Sequence, residues 1–154
     1  MLAVTSEKTR GIAEGLGARV IVRDGKTNEE IVAEIKAIGG EDITKAIDLV
    51  GTETASYCLQ ALSTTQSCLF APLAMISSKA VVPANVKIET VEMKKFVLER
   101  ESRVWAEKLN RLVESGEVRM PVVEVMEGGL DVVQEGLERV KRGDLGGRKL
   151  VVAF

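Results

Sequence analysis

The sequence contains no histidine, and its only cysteines are Cys58 and Cys68. Without histidine, the ordinary zinc ligand sets and histidine-based catalytic triads are excluded, so no metal site is expected. Any proton transfer has to use Asp, Glu, Lys, Tyr, Cys or the substrate itself. The two cysteines fall in a predicted helix and a predicted strand, which favours buried free thiols in a reducing compartment.

Long apolar runs and a strong charge of one sign are also missing. No apolar stretch of about 18 residues is present, and the N-terminus lacks the basic-then-apolar order of a signal peptide. The net charge of -2 gives no electrostatic reason to expect nucleic acid or an acidic membrane as a partner. These features predict a cytoplasmic globular protein, and the 154 residues are most simply one domain.

Strand-like and helix-like patterns alternate along the whole chain. Short connections between them imply parallel strand pairing and right-handed crossovers. The most informative pattern is the apolar run at 43–51, which ends in glycine and is typical of a buried strand that delivers a loop to a ligand crevice. The predicted strands are 2–5, 19–22, 43–51, 67–73, 86–91, 122–125 and 149–154.

Capping residues and apolar stripes mark the predicted helices. Thr5 or Ser6 caps the first helix, Thr27 and Glu30 form a capping box for the second, and Thr52 caps the third. The helix that starts at Ser102 is expected to bury Val104, Trp105, Leu109, Leu112 and Val113. The last helix carries an apolar stripe of Leu130, Val133, Leu137 and Val140.

The order of these segments resembles the cofactor-binding half and closing segment of the medium-chain dehydrogenase/reductase superfamily. The likeness is to the zinc-free quinone oxidoreductases and the fungal trans-acting enoyl reductases in particular. It is carried by Thr5-Ser6, Gly15 to Ala18, Ala46 to Gly51, and most specifically by the tail that runs from Gly128-Gly129-Leu130 to Lys149-Leu150-Val151-Val152. The resemblance covers nearly the whole chain and implies an incomplete Rossmann-like fold, a mostly parallel sheet with helices on both faces.

The resemblance also implies positions for NADPH. Ser6 and Lys8 would hold the 2′-phosphate, with Arg10 as a further basic residue, and Lys149 would approach the cofactor from the tail. The loops at 49–51 and 71–73, including Val50 and Gly51, would face the nicotinamide. A structural interpretation competes at each place, because Ser6 can be only a helix cap and both lysines can be solvated surface charges.

Two parts of the family pattern are expected to be absent. They are the N-terminal catalytic domain and the first strand–loop–helix unit, whose glycine-rich loop binds the cofactor diphosphate. In the strand order 3-2-1-4-5-6 that first strand lies between the strands at 2–5 and 46–50. The gap has to be closed by direct pairing of these strands, by a second copy of the protein, or not at all. We expect a homodimer, with the edge strand at 86–91 as the place where relatives join subunits.

Three functions remain open from the sequence. In the first, redox chemistry is lost, and the crevice at the strand ends binds an apolar small molecule without a cofactor and cyclises or isomerises it by positioning alone, in secondary metabolism. Leu49, Thr52, Phe70, Pro72, Met75 and Trp105 would line this site, and Asp48 and Tyr57 are weak catalytic candidates.

The structural interpretation is favoured at these positions: Asp48 caps a neighbouring loop, and Phe70 and Trp105 are core residues, as their strand and helix phases suggest. The second function is an NADPH-dependent reductase of which the chain is a remnant or a part. The third is a non-catalytic subunit that docks on a larger synthase through the edge strand or the helix at 99–114.

Overall fold

The structure is a computed structural model that describes residues 1–74, 76–90 and 97–154. Contacts divide the chain into two compact units, Met1–Met93 and Lys94–Phe154, and each is described by itself. Whether the two units behave as the one domain expected from the sequence stays a prediction.

The first unit alternates strands and helices in the predicted order. It contains β1 (Leu2–Thr5), α1 (Glu7–Gly15), β2 (Arg19–Val22), α2 (Asn28–Gly39), a 3-10 turn (Gly40–Asp42), β3 (Lys45–Asp48), α3 (Thr52–Ala61), β4 (Cys68–Pro72) and β5 (Val86–Ile88). The predicted central strand at 43–51 is therefore shorter, because its last residues form a loop. The predicted edge strand reaches only Ile88, and its expected last residue, Val91, lies outside the described residues.

All strand pairs in this unit are parallel, but they form two sheets. One sheet has the order β1-β2 and the other has the order β3-β4-β5. The mostly parallel α/β architecture predicted from the sequence is confirmed. Direct pairing of β1 with β3, one of the ways we considered to close the gap between them, does not occur.

The core of the first unit lies between α3 and its sheet. Ala55, Leu59 and Leu62 on the helix side pack with Phe70 and Cys68 on β4. This confirms the inner face predicted for α3. By contrast, α1 buries none of its residues, and its apolar residues Ile12 and Leu16 are exposed.

The predicted N-cap residue is found at two of the three helices of the first unit, and the predicted capping hydrogen bonds form at one of them. Thr27 accepts a hydrogen bond from Glu30 N–H at 3.3 Å and the Glu30 carboxylate accepts one from Thr27 N–H at 2.7 Å, so the capping box is confirmed. Ser6 occupies the N-cap position of α1, although its side chain makes no capping hydrogen bond. The prediction for Thr52 is wrong, because Gly51 is the N-cap residue and Thr52 already belongs to α3.

The second unit contains α4 (Ser102–Glu114), β6 (Val123–Glu127), a 3-10 turn (Gly129–Val132), α5 (Val133–Arg142) and β7 (Lys149–Ala153). The strands β6 and β7 pair in parallel. Gly143 ends α5 in the left-handed conformation, at φ 71°, as predicted for a helix terminator.

The apolar stripes of the second unit are less buried than the sequence predicts. On the expected inner face of α4, only Leu112 and Val113 are half-buried. In the stripe predicted for α5, only Val133 is half-buried. The expectation of burial is wrong for the other stripe residues, which are exposed: Val104, Trp105, Leu109, Leu130, Leu137 and Val140. The periodicity identified the helices correctly, but it cannot show whether another layer covers their apolar faces.

Candidate functional site

The carboxyl end of β3 is organised by Asp48. This residue is buried, and its carboxylate accepts hydrogen bonds from Val50 N–H at 3.3 Å, Gly51 N–H at 3.2 Å and the Thr54 hydroxyl at 2.9 Å. A carboxylate that accepts backbone N–H groups at the start of a helix offsets the positive end of the helix dipole. The capping role considered for Asp48 is thus what the geometry shows.

Gly51 and Thr54 complete the turn from β3 into α3. Gly51 has a φ of 153°, in a region that side chains disfavour, and its N–H also lies 3.1 Å from the Thr54 hydroxyl. The sequence analysis did not select Thr54. A sequence pattern could have identified Thr54: it is a hydroxyl residue three positions after the N-cap glycine, where its side chain can contact the free N–H groups of the first turn.

Three apolar side chains are exposed beside this turn. Leu49 and Val50 are each 68% exposed and Leu73, which follows β4, is 48% exposed. The two loops are joined, because Leu73 N–H donates to the Asp48 carbonyl oxygen at 2.8 Å. We call Leu49, Val50 and Leu73 the strand-end ledge. It is the apolar surface at the carboxyl ends of β3 and β4, where parallel sheets bind ligands.

The other residues predicted for an apolar crevice are not brought together at this ledge. Phe70 is 0% exposed and belongs to the core, and Pro72 is buried. Thr52 is exposed at the start of α3, and Tyr57 is half-buried farther along the same helix. The prediction for Met75 falls outside the described residues.

Trp105 belongs to the second unit. It is 61% exposed, and the Lys108 ammonium lies 5.4 Å from the centre of its ring. The interpretation of Trp105 as a core residue is therefore wrong, whereas the same interpretation is confirmed for Phe70. An exposed tryptophan with a cation over its ring is stabilised by the attraction between the charge and the ring electrons.

The residues proposed for NADPH lie in three places. Ser6 precedes α1, and its hydroxyl lies 3.2 Å from the hydroxyl of Thr9. Lys8 is exposed on the first turn of α1, and Lys149 is exposed at the start of β7 in the second unit. Val50 and Gly51 lie in the loop that follows β3.

The helix N-termini of the first unit already hold carboxylates of the chain itself. Asp24 accepts from Glu7 N–H at the start of α1, at 2.7 Å. Glu30 accepts from Thr27 N–H at the start of α2, and Asp48 accepts from Gly51 N–H at the start of α3. A dinucleotide diphosphate binds to free N–H groups at such a helix end. At each of these three helix ends at least one backbone N–H is therefore taken by a negative side chain of the chain itself, which disfavours a second anion there.

Cys58 on α3 does not have the properties of a nucleophile. Burial, followed by the charge of Asp48, raises the pKa of its thiol to about 11. Since the thiolate is the reactive form, the thiol is inert at neutral pH. Both cysteines are free, as predicted, although only Cys68 is fully buried.

Glu41, in the turn between α2 and β3, makes a hydrogen-bonded cluster that the sequence analysis did not identify. Its carboxylate accepts from the Ser63 hydroxyl at 2.5 Å, the Thr65 hydroxyl at 2.9 Å and Thr64 N–H at 2.8 Å. These hydrogen bonds lower the pKa of Glu41 to about 2. The cluster fixes the loop that leads from α3 into β4.

Two open grooves lie away from the strand-end ledge. One has a volume of about 430 Å³ and the other about 290 Å³, and both run along Leu59 and Gln60 of α3 towards Pro83. No residue of the predicted crevice lines either groove. Each is a shallow feature of the surface beside α3, with no cluster of ionisable groups.

Within the described ranges, no group of three or more His, Cys, Asp or Glu side chains is placed to hold a metal ion. A bilayer-spanning helix is likewise not found in this part of the chain, where every helix is too short or too polar.

Several solved structures are similar to this chain. The enoyl reductase JamJ superposes with a TM-score of 0.76 at 18% identity, over 99% of this chain and 47% of that one. A protein described as an NADPH:quinone reductase from Bacillus thuringiensis gives a TM-score of 0.73 at 21% identity, over 99% of this chain and 48% of that one. The chain has a medium-chain dehydrogenase/reductase-like fold. The resemblance seen in the sequence is thereby confirmed at the level of the fold.

Curated relatives agree with this fold. A trans-enoyl reductase of Penicillium decumbens, calK, is 23% identical over 98% of this chain and 45% of its own length. A trans-enoyl reductase of Phaeosphaeria nodorum, sthE, is 29% identical over 98% of this chain and 46% of its own length. The chain thus spans slightly less than half the length of these relatives. No protein-family model matches it.

One solved neighbour has a different activity in its description. The cyclopropanase CurF, from the curacin A biosynthetic pathway, gives a TM-score of 0.76 at 20% identity, over 99% of this chain and 46% of that one. The same fold therefore occurs in proteins described as reductases and in one described as a cyclopropanase. A fold alone does not determine which reaction is catalysed.

Proposed function

We propose that this chain is a reductase-like domain that binds an apolar small molecule at the strand-end ledge and has no dinucleotide site of its own. The observation that carries the proposal is the contrast between two surfaces of the same unit. Leu49 and Val50 present apolar groups to solvent at the strand ends. At the helix ends where a diphosphate would bind, Asp24, Glu30 and Asp48 already accept hydrogen bonds from backbone N–H groups.

Exposed leucine and valine side chains favour an apolar ligand. Covering one such side chain contributes about 1 to 2 kcal/mol. An α,β-unsaturated thioester with a long alkyl tail is the ligand class we propose, because the relatives of known description are enoyl reductases. The finer proposal is a cofactor-independent cyclisation or isomerisation in secondary metabolism, in which the ledge only orients the ligand. The similarity to CurF, a cyclopropanase from the curacin A biosynthetic pathway, supports this finer proposal.

The test measures, by NMR, how tightly the protein and its variants bind a decenoyl thioester of N-acetylcysteamine. Leu49→Lys is expected to weaken binding about tenfold, because it places a charge against the alkyl tail. Met120→Lys is the matched control, since Met120 is exposed to nearly the same extent, 67%, and lies in the second unit. Equal effects of both substitutions would remove the ledge as the site. Turnover of the bound thioester without cofactor tests the finer proposal.

A second candidate is a part of an NADPH-dependent enoyl or quinone reductase. The observation in its favour is the length of the curated relatives, of which the chain spans less than half. In this case the chain itself would bind NADPH, and the domain that makes most of the substrate contacts would lie in residues outside this sequence. Titration with NADPH, followed by the fluorescence of the cofactor, distinguishes the candidates: saturable binding by the chain alone would contradict the first proposal and support the second.

Docking on a larger synthase is the third proposal, through α4 or the β5 edge. The exposed apolar residues of α4, Trp105 and Leu109, are the observation that supports it. The homodimer expected through β5 likewise stays a proposal. Sedimentation of the purified protein tests both, since a docking subunit alone should be monomeric and the dimer should have twice the monomer mass.

A further inference from the structure

The two open grooves beside α3 adjoin each other. Leu59, Gln60 and Pro83 line both of them, and we call the two together the α3 groove. Ser63, which also lines the larger groove, lies in the loop before β4, and Asn85 directly precedes β5. The α3 groove therefore lies towards the amino-terminal ends of these strands, whereas the strand-end ledge lies at the carboxyl ends. The two surfaces are separate.

The base of the α3 groove is apolar. Leu59 and Leu62 line it and belong to the buried core of the first unit. Val32 is half-buried on the α2 side, and Val81 is 87% exposed on the opposite side. A ligand that covers these side chains removes apolar area from water, which is favourable. Apolar groups are therefore one part of what this groove would recognise.

The charged side chains that line the α3 groove are both positive. Lys36 lines the larger groove and Lys79 lines the smaller one, and no carboxylate lines either. Neither ammonium group forms an ion pair with a described residue. Glu41 contacts Ser63 and Thr64, but its carboxylate is not among the lining groups. On a protein with a net charge of -2, such a surface favours a ligand with negative charges.

One wall of the α3 groove has free backbone groups. Residues 80–83 form neither helix nor strand, and Val82 is biased towards an extended conformation because it precedes Pro83. No described residue makes a hydrogen bond to the backbone N–H or C=O of Val81 or Val82. An extended peptide binds to free backbone groups of this kind through its main chain, while its alternate side chains enter the neighbouring groove.

We propose that the α3 groove binds a short extended segment of a partner protein, in which two apolar side chains at alternate positions are flanked by acidic residues. The main chain of the segment pairs with the backbone at Val81 and Val82. Its apolar side chains lie on the same side of the extended chain and cover Leu59. The acidic residues at its two ends pair with Lys36 and Lys79.

A small apolar anion fits the α3 groove less well than a peptide does. Small ligands bind in pockets that enclose most of their surface, whereas this groove is shallow and open. An alkyl carboxylate has one charge, and the two lysines line different halves of the groove. From Ser56 to Leu62 the chain advances about 9 Å, the length of roughly three residues of an extended peptide.

The first test uses a fluorescein-labelled synthetic peptide, leucine–threonine–leucine with a pair of glutamates at each end, and the full chain. Fluorescence anisotropy should show saturable binding with a Kd on the order of 100 μM. A copy with lysines in place of the glutamates should bind at least about tenfold more weakly, because its charges have the sign of the groove. Equal binding of the two peptides, or no binding of the acidic peptide, would overturn the proposal.

Substitutions in the groove test the roles of its residues. Lys36→Gln and Lys79→Gln should each weaken binding of the acidic peptide about two- to fivefold, as expected for exposed ion pairs. Lys45→Gln is the matched control, because Lys45 is exposed on β3 of the same unit and lines neither groove. Gln60→Trp narrows both halves of the groove and should weaken binding about tenfold. The same effect from Lys45→Gln as from the two groove lysines would contradict the assignment.

Amide chemical shifts locate the bound peptide. Shifts at Leu59, Gln60 and Val81 are expected, and a copy of the peptide with N-methylated amides should bind about tenfold more weakly because it cannot pair with the backbone. Decanoate is the probe for a small apolar anion. Shifts of the groove amides by decanoate but not by the peptide would overturn the proposal, and so would peptide shifts confined to Leu49 and Val50 of the strand-end ledge.

Discussion

At the scale of single residues, the buried carboxylate of Asp48 fixes the loop between β3 and α3. Asp48 lies at the end of a strand and its carboxylate is satisfied by three donors of the following turn. These hydrogen bonds join the end of β3 to the first turn of α3. Asp48 therefore acts first on the shape of the strand-end ledge.

Substitution of Asp48 tests this role. Asp48→Asn keeps the size of the side chain but loses the charge and leaves at least one of the donors poorly paired. We expect a loss of about 1 to 3 kcal/mol in the free energy of unfolding. The measurement is urea denaturation of the variant and of Asp42→Asn as a control at an exposed aspartate. If the variant were as stable as the control, solvent would have to replace the hydrogen bonds that the carboxylate accepts.

Glu41 makes the stability of the first unit depend on pH. Hydrogen bonds from Ser63 and Thr65 lower its pKa from 4.5 to about 2 in the folded chain. The contribution of a carboxylate with a lowered pKa is fully present above its ordinary pKa and is lost as the pH falls towards the folded value. Glu41→Gln should therefore destabilise the chain at pH 7, and the difference from the natural protein should shrink between pH 4.5 and 2.

Unfolding curves at several pH values measure that difference. Glu29→Gln provides the control, because Glu29 is an exposed residue of the first turn of α2. A difference between Glu41→Gln and the natural protein that stayed constant from pH 7 to pH 2 would show that the carboxylate is not held by these donors.

Some side-chain contacts could be predicted from the sequence and others could not. The capping box of Thr27 and Glu30 was predictable because both partners lie within one turn. The cluster of Glu41 was not, because it joins residues that are more than twenty positions apart and has no local pattern. The contacts of Glu41 depend on where the fold brings its loop and the loop after α3.

At the scale of elements, the acidic residue Glu124 links β6 to α5 and to a residue next to β7. Glu124 on β6 is bridged by Arg139 on α5 at 2.7 Å and by Arg148, next to β7, at 3.1 Å. Glu124 and Arg139 are largely shielded from solvent, with side chains 27% and 22% exposed. Ion pairs that are shielded in this way lose less strength to solvent than exposed pairs do.

Loss of the Glu124 charge should loosen this arrangement. Glu124→Gln leaves two arginines close together without their shared counterion, and we expect a cost of about 1 to 2 kcal/mol. Far-ultraviolet circular dichroism during thermal unfolding gives the measurement. Glu127→Gln, at the exposed end of the same strand, is the control and should change little.

Helices were recognised correctly from periodicity, whereas their burial was not. The stripe on α1 and the stripes on α4 and α5 have the spacing of core-facing helices, and yet most of their apolar residues are exposed. Periodicity reports that a helix has an apolar face. The element that covers this face can lie anywhere in the sequence or in another chain, so local reasoning cannot identify it.

At the scale of the whole molecule, the number of unfolding transitions tests whether the two units form one domain. Residues 1–93 and 94–154 each contain their own strands and helices. If they fold as one domain, as the sequence suggests, unfolding should be a single transition with coincident probes. Trp105 reports only on the second unit, so its fluorescence can be compared with amide exchange in β3 and β4. Separate transitions would show two domains.

The general architecture was the part that the sequence determined best. Alternating strand and helix patterns with short connections leave few topologies. What the patterns could not show is that the strands form two separate parallel sheets in the first unit, because the partner of an edge is a long-range property. Leu49, Val50 and Leu73 of the ledge all lie in the two loops, 49–51 and 71–73, that the resemblance placed at the strand ends.

The four free strand edges of the first unit, on β1, β2, β3 and β5, differ in their side chains. The β5 edge carries Lys87 and Glu89, paired at 2.8 Å and largely exposed, whereas β1 carries no charged residue between Leu2 and Thr5. Charged side chains on an edge discourage intermolecular pairing, and apolar edges invite it. If concentrated samples form fibrils, these should therefore grow through β1, and lysine introduced at Val4 should be the most effective way to keep the protein in solution.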